Sequence, residues 1–562
     1  MKKISNVERA RTEDFEFNTT ASALLRENNI TVNSNEDFKR LFPDVAGNTL
    51  SYLEMMEELK GTSEFVERIN KLINAYTLDM NKDIGVLGDY DVDGIMGSVI
   101  LMTMFHDIGF RPIQYAPNRL TDGYGLAKKL AESERALKAP LLVTVDTGIA
   151  EKEVISLLQN MGQHNIIVTD HHLPEEGNVP ENVLIIDPKY NKDNFQDICG
   201  ACVALKLANA VYKVHNMHTP RVLVAFAGIA TIADMMPMLG ENRVLVKETL
   251  SIINELKAAG GYTTELYALS QLLRNLGGKK FLETPGELAT TDLISFFIAP
   301  SINAVSRVEG DVNKLIREIY NSVVYQYSYK NLTSVNIIRK NRTIDLMKKY
   351  KVENESESQI VLYDKKDFEY PIQGLIGIVA NKISNTNGKV SLVGYSKKDG
   401  EFDFSGRGIP GYNLYDGIMR ISKNNPELNI TGGGHSSAMG IHLHTDSAGL
   451  EKFKSLLNED IISNKIPVEK NIYEFEESIE EEIISTLRLF APYGQNFKPI
   501  TFRYTGEFKK YESTNAEIGD FNFRYFATKE EQKLVGSEIT IDFNVSFENE
   551  SSVVFKCFKG GE

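Results

Sequence analysis

The stretch IGVLGDYDVDG, Ile84 to Gly94, decides how this chain reads. Its first half is a continuous apolar run, the pattern of a strand buried on both faces of a parallel sheet. Its second half carries three aspartates, Asp89, Asp91 and Asp93, closed by a glycine. Three runs of the same kind follow, PLLVTVDTG (140–148), NIIVTDHH (165–172) and NVLIIDPK (182–189). Helix-compatible stretches lie between them, from Ile95 to Asp107, Leu126 to Leu137 and Ala150 to Asn160. Strand alternating with helix predicts a doubly wound α/β domain.

Ligands of such a sheet bind at the carboxyl ends of its strands. Here those ends carry Asp89, Asp91 and Asp93, then Asp146, then Asp170, His171 and His172, then Asp187, and a later helical segment, TIADMMPM (231–238), adds Asp234. Carboxylates gathered this closely repel one another unless cations sit among them. Aspartate oxygens and histidine nitrogens without thiolate suit Mn²⁺, with Mg²⁺ as a substitute. Two such ions about 3.5–4 Å apart would serve in-line displacement at a phosphoryl centre, which is phosphoester hydrolysis. Asp91 and Asp93 are expected on one side of an extended segment, with Gly94 allowing the turn into the next helix.

A length of 562 residues implies three or four domains. With 42% hydrophobic and 25% charged residues, disordered and fibrous classes are excluded. Acidic residues outnumber basic ones 77 to 62, so a nucleic-acid surface would be a local basic groove rather than a general polycation. The N-terminal lysines precede no apolar segment and the longest apolar runs, such as Ser98 to Phe105, are too short for a bilayer; a cytoplasmic protein without membrane contact is expected. Three cysteines make no disulfide framework, and Cys199 and Cys202, opening CGACVALKLANAV, are expected as buried packing residues in a helix.

Working outward, residues 1–75 show helical spacing (Tyr52, Met55, Met56, Leu59) and read as an accessory region; residues 76–310 form the sheet domain. Across 311–355, Leu315, Ile316, Ile319, Tyr320, Val323, Val324 and Tyr327 recur at helical spacing, predicting one long connector helix of about 60 Å. Residues 356–458 read as a smaller α/β domain. Residues 459–562, with ITFRYTGEF, FNFRYFA and SSVVFKCF, read as a small OB-like β-barrel. Phe497, Phe502, Tyr504, Phe521, Phe523, Tyr525 and Phe526 would supply base-stacking surfaces there, half of them being core by strand alternation.

GDYDVDG, VTVDTG, VTDHH and TIADMMP, in this order, resemble the four motifs of the DHH phosphoesterase superfamily, and TGGGHSSAMG (431–440) resembles the glycine-histidine motif of its partner DHHA1 domain. PNRLTDGYG (117–125), APSINAVSR (299–307), GLIGIVANKI (374–383), SGRGI (405–409) and APYGQNFKP (491–499) resemble segments of the RecJ single-strand-specific exonucleases. The resemblance runs from about residue 80 into the C-terminal domain. It implies a multidomain α/β chain: a doubly wound parallel-sheet DHH domain, joined by the long helix to a smaller α/β DHHA1 domain, with the OB-like barrel after it. It also implies 5′-to-3′ hydrolysis of single-stranded DNA in repair and recombination, in a cleft too narrow for a duplex.

The same resemblance implies roles for individual residues. Asp91 and Asp93 would bind separate metals, Asp146 would bridge them, and His171 and Asp234 would complete the second site. Asp89, standing near where other DHH enzymes place a metal-binding histidine, would be a ligand or support one. His172 would contact the scissile phosphate or assist the leaving oxygen, and Asp170 would orient the histidines. Arg119 with Ser405 and Arg407 would hold a 5′-terminal phosphate. Gly432, Gly433, Gly434 and His435 would let backbone amides approach the nucleotide, and Asn303 and Arg307 would lie near the active cleft. Ser301, Ser306 and Met439 depart from the family pattern, where arginine, glycine and alanine are usual.

Single-stranded DNA is the implied partner, with a single-strand-binding protein or a helicase as protein partners. Two rival readings use the same motifs. A phosphodiesterase of short oligonucleotides or cyclic dinucleotides would need only the two catalytic domains, so the connector and barrel weigh against it. A non-catalytic nucleic-acid scaffold would have lost its metal ligands, and Asp91, Asp93, Asp146, His171 and Asp234 are all present.

Overall fold

The apolar runs form one parallel sheet in this computed structural model, which describes the chain apart from residues 1, 12–15, 76–81, 124, 127–129, 131, 330–331, 351–355, 399, 468–470, 526, 528–530, 549–553 and 559–562. The order across the sheet is Arg111–Tyr115, Asp83–Gly88, Leu141–Val145, Ile166–Thr169 and Leu184–Ile186, all parallel. The last four strands are buried along their whole length, as continuous apolar runs require. The first is an edge strand, and it carries the proline.

Numbered along the chain this order is 2-1-3-4-5, a doubly wound sheet whose direction of winding reverses between its first and third strands. The helix Val92–Asp107 is apolar all round because it is buried all round, packed against the helices Gly200–Val214 and Arg221–Ala233. On the opposite face Val154, Ile155 and Leu158 of the helix Lys152–Asn160 close over Leu87, Leu142, Ile166 and Val168. Cys199 caps the helix Gly200–Val214 and Cys202 lies within it, both buried with sulfurs 3.6 and 3.4 Å from the Thr231 hydroxyl, as packing residues.

The chain divides into two compact units, Met1–Ser334 with Ile472–Phe558, and Val335–Asn471. In the first unit the strands Phe502–Glu512, Asn515–Ile518, Phe521–Arg524, Val554–Phe558 and Glu538–Ser546 pair in that order, and pairing of the first with the last closes a five-stranded barrel. Phe502, Phe523, Phe543 and Phe555 fill it. Of the aromatics expected to stack bases, Phe497, Phe502 and Phe523 are buried, and Tyr504 packs on Phe521 and Phe523. Phe526 lies outside the described residues.

Arg243, fully buried, ties the N-terminal region to the segment leading into the barrel. Its guanidinium pairs with Asp44 at 2.7 Å and donates to the carbonyls of Ala491 and Pro492 at 2.8 and 3.0 Å, between the rings of Phe42 and Phe497. Without Arg243 the carbonyls of Ala491 and Pro492 lose this donor, and Asp44 keeps only Lys247, at 2.7 Å. Arg243→Leu is therefore expected to cost about 3–5 kcal/mol, read as a lower urea midpoint; a midpoint unchanged from wild type would show that the region relaxes around the loss.

The single connector helix expected over 311–355 is two helices. Asn313–Tyr325 stops at Gln326, whose φ of +55° takes the chain out of helical geometry, and Thr333–Lys348 follows after a break. Leu315, Ile316, Ile319 and Tyr320 are buried, with the helix packed on Val92–Asp107, whereas Tyr325 and Tyr327 are exposed. The apolar face thus runs out before the helix does.

The second unit has a five-stranded sheet ordered Ile430–His435, Ala438–His444, Glu401–Arg407, Val390–Lys398 and Ser358–Tyr363, antiparallel except for the last pair. Two apolar clusters cover its faces, one around Leu392, Phe453 and Leu457, the other around Val379, Ile383 and Val393. No helix among the described residues is long and apolar enough to cross a membrane.

Candidate metal centre and nucleic-acid site

The strand Asp83–Gly88 delivers Asp89 at its end, and Asp91 caps the helix that follows, accepting from the amides of Asp93 and Gly94 at 2.9 and 3.2 Å. The expected extended segment therefore ends at Asp91, because that cap turns the chain and puts Asp93 in the first helical turn. Both oxygens of Asp93 accept from the amino end of the helix Gly200–Val214, from Gly200 N at 2.6 Å and Ala201 N at 2.8 Å. Helix N-termini favour negative charge, so two helix ends hold these carboxylates in place.

Asp146 follows the third strand with φ of +60°, a conformation rare for a residue with a side chain. It meets the product of the fourth strand: His171 Nε2 lies 3.1 Å from Asp146 Oδ1, 3.5 Å from Asp93 Oδ2 and 3.6 Å from Asp234 Oδ2. Asp234 caps the C-terminus of the helix Arg221–Ala233. Three sets of ligand atoms result, each within 4.8 Å: Asp89, Asp91 and Asp146; Asp93, His171 and Asp234; and Asp146, His171 and His172. All sit where the sheet's winding reverses, between its first and third strands.

The electrostatics are those of a site built for cations. Burial pushes the carboxyl groups of Asp89, Asp146 and Asp234 well above the usual carboxylate range, and neighbouring aspartates push further. Asp89 Oδ1 and His171 Nδ1 are buried with no hydrogen-bond partner among the described residues. Burial, then the neighbouring His172, holds His171 down to about 4, so the ring is neutral and one of its nitrogens is free to ligate. Burial also opposes charge on His172, but the 2.7 Å bond to Asp170 outweighs it and pushes the imidazole up to about 9.

Asp170 stays ionised against its burial because His172 faces it and because it accepts from the amides of Ile149, His171 and His172. It holds the His172 imidazole directly and His171 through its backbone amide. The residues missed by sequence reasoning are two backbone donors and one side chain: the amides of Gly200 and Ala201 on Asp93, and Lys189, whose ammonium donates to the His171 carbonyl at 2.6 Å. A Cβ on Gly200 would lie 2.6 Å from Asp146 Cβ, so only glycine lets this helix approach.

Arg119 is brought to the same rim. Its guanidinium lies 4.6 Å from the Tyr90 ring and its charge acts on Asp89; Arg307 acts on Tyr90 from the helix Ala299–Val308. Asn303, on that helix, has a buried Oδ1 with no partner among the described residues. The serines that depart from the family pattern spend their hydroxyls locally, Ser301 on the Phe297 carbonyl and Ser306 on the Asn303 carbonyl, at 2.7 and 3.2 Å.

In the second unit Arg407 donates to Ser405 Oγ at 3.2 Å and to the Gly406 carbonyl at 2.7 Å. Gly377, at the start of the helix Ile376–Asn387, leaves room for both side chains; a Cβ there would lie 3.0 Å from Ser405 Oγ and 3.2 Å from the guanidinium. Gly432, Gly433 and Gly434 form a strand ending at His435, and the turn falls on Ser436 and Ser437. Gly432 and Gly434 press on the neighbouring strand, whereas Gly433 presents open backbone. Met439 is buried in the core of this unit and makes no part of that surface.

With this arrangement established, residues 83–233 match the DHH family, N-terminal domain, so the parallel-sheet unit is a DHH domain. The chain is 28% identical over 458 residues to the single-stranded-DNA-specific exonuclease RecJ of Bacillus subtilis, covering 79% of this chain and 54% of that one. It is 27% identical to the protein of the same description from Escherichia coli, covering 78% and 77%. Its fold matches the structure of RecJ in complex with Mn²⁺ from Thermus thermophilus, with a TM-score of 0.71 at 20% identity, covering 96% of this chain and 75% of that one. Over most of its length the chain is thus similar to RecJ exonucleases. It spans about half the length of the Bacillus relative.

Proposed function

We propose that the protein is a metal-dependent 5′-to-3′ exonuclease that hydrolyses single-stranded DNA and releases 5′-mononucleotides, in DNA repair and recombination. The observation that carries this reading is the cluster of buried carboxylates around His171, with an unpartnered Asp89 oxygen and an unpartnered imidazole nitrogen, at the point where the sheet's winding reverses. Asp89, Asp91, Asp93, Asp146, His171 and Asp234 fit two Mn²⁺ ions, or Mg²⁺ in their place. When bound, the ions supply Lewis acidity toward water and the phosphoryl oxygens.

The chain's own residues do the rest. Asp93 is locked by two amides and Asp146 by its strained backbone, so the carboxylates are positioned before substrate arrives. His172, kept protonated by Asp170, faces the same carboxylates and donates to the scissile phosphate or to the departing 3′-oxygen. Water oxygen joins phosphorus and gives up a proton to solvent, the bond to the 3′-oxygen breaks, and that oxygen takes a proton from His172. Arg119 at the rim, with Asn303 and Arg307, contacts the strand. Ser405 and Arg407 form a fork for a terminal phosphate, and Gly432, Gly433, Gly434 and His435 offer backbone and imidazole to a nucleotide.

The five-part division at 75, 310, 355 and 458 goes with this reading as a proposal. A cytoplasmic setting, with a single-strand-binding protein or a helicase as protein partner, is also part of it.

The test is a time course with Mn²⁺ on an oligonucleotide labelled at either end. Immediate mononucleotide release from the 5′ label, absent in Asp146→Ala, is expected; turnover of dinucleotides alone, with long strands untouched, would reject the reading. Arg407→Ala should raise KM for a 5′-phosphorylated strand about tenfold or more and leave a 5′-hydroxyl strand unaffected.

A further inference from the structure

Two adjacent phenylalanines, Phe296 and Phe297, are 65% and 54% exposed. They lie on a π-helical segment, Ile294–Ile298, whose terminal isoleucines are fully buried. The wide turn thus anchors itself through Ile294 and Ile298 and turns two consecutive aromatic rings outward. Wide turns of this kind concentrate at functional sites, and paired exposed aromatics mark a surface that meets something.

The neighbours on either side give the surface a direction. Just before it, Asp292 pairs with Lys556 of the barrel at 2.6 Å, and Leu288 N donates to the Glu548 carbonyl. Just after it, the helix Ala299–Val308 runs to Asn303 and Arg307, whose charge reaches Tyr90 beside Asp89. The π-helical segment also packs on the helix Arg221–Ala233, which ends at Asp234. Phe297 to Arg307 is ten residues, about 15 Å of helix, the length of about four stacked nucleotides at roughly 3.4 Å each.

We propose that Phe296 and Phe297 are a base-stacking platform for the single strand, within about four nucleotides of the scissile bond, on the path from the metal centre to the barrel. This rests on the exonuclease reading. The occupant is a nucleic-acid base rather than a protein side chain because the aromatic pair is continuous with cations suited to phosphates. Arg307 stands at one end, and exposed Lys279 and Lys280 directly follow the Gly277–Gly278 turn, where Gly277 abuts the Phe297 carbonyl. Alternating aromatic faces and positive charge bind single strands without sequence preference, since every base has a π-face.

The consequence is a length preference. The double variant Phe296→Ala, Phe297→Ala is expected to lower kcat/KM on a strand of about twelve nucleotides roughly 10- to 100-fold, through KM with kcat retained, and to leave a dinucleotide unaffected because it cannot reach. Strand affinity by fluorescence anisotropy in chelator should fall by a similar factor, and Phe296→Trp, Phe297→Trp should restore both. Unchanged long-strand kinetics in the alanine variant would overturn the platform while leaving the exonuclease intact. Equal loss on both substrates, or a change of oligomeric mass with length preference intact, would also overturn it. A wild-type protein that turns over only dinucleotides would remove the exonuclease reading and the platform together.

Discussion

Asp146→Asn is expected to abolish DNA hydrolysis and, in chelator, to raise the melting temperature. The two results have one cause. Asp146 is buried, and the charges of Asp93, Asp91, Asp89 and Asp234 add to the cost of ionising it. Its folded pKa is raised, so the neutral form suits the fold. The associated stability is complete below the unfolded value near 3.8 and is lost as pH rises through the folded one. At neutral pH the metal-free wild type carries that cost and an asparagine does not. The melting gap between variant and wild type should therefore widen as pH rises from the unfolded value toward the raised folded one.

Mn²⁺ reverses the order. An ion at a hundred times its dissociation constant stabilises the wild type by about 2.7 kcal/mol, several degrees in melting temperature, and the asparagine should forfeit most of that shift. Turnover should fall about 1,000-fold or more, since several kcal/mol of charge stabilisation depend on the site being filled. Calorimetric melting with and without Mn²⁺, beside the nuclease assay, decides the matter. An asparagine variant with the full Mn²⁺ shift, or with activity within tenfold of wild type, would take Asp146 out of the proposed metal site.

The strand ends were legible because one pattern served two purposes. A run such as VTVDTG must be continuous and apolar to sit inside a parallel sheet, and its acid must follow at once to reach the sheet's carboxyl edge, so fold and site were read from the same six residues. Asp170 was legible as a neighbour of the histidines for a similar reason, lying next to them in sequence and accepting from the His171 amide and the His172 ring. The connector was not, because helical spacing continues past Tyr320 although its burial does not, and one left-handed residue at Gln326 ends the helix. The glycine run at 432–434 suggests a loop by composition, yet close pairing with the neighbouring strand is what small residues also permit. Backbone donors leave no mark of residue type, so the amides that hold Asp93 could not be read at all.

Gly200→Ala is the sharpest consequence of those unread donors. Helix propensity alone predicts a gain, since alanine is favoured over glycine inside a helix by about 1 kcal/mol. Contact geometry predicts a loss. The added methyl would stand 2.6 Å from Asp146 Cβ, 2.8 Å from its Cα and 3.1 Å from its amide nitrogen, and these are mostly backbone atoms of a residue already held at φ of +60°. They cannot swing aside as a side-chain tip would. Either Asp146 shifts or the helix end withdraws, and withdrawal breaks both amide bonds to Asp93. A displacement near 1 Å at reacting groups costs about 100-fold in rate, so turnover should fall at least that far, with weaker Mn²⁺ binding by titration calorimetry, although no ligand has been replaced. The circular dichroism spectrum should be unchanged, because the rest of Gly200–Val214 keeps its packing. If Gly200→Ala turns over DNA like wild type, the two carboxylates do not depend on that helix end for their alignment, and the capping amides contribute to the fold rather than to the reaction.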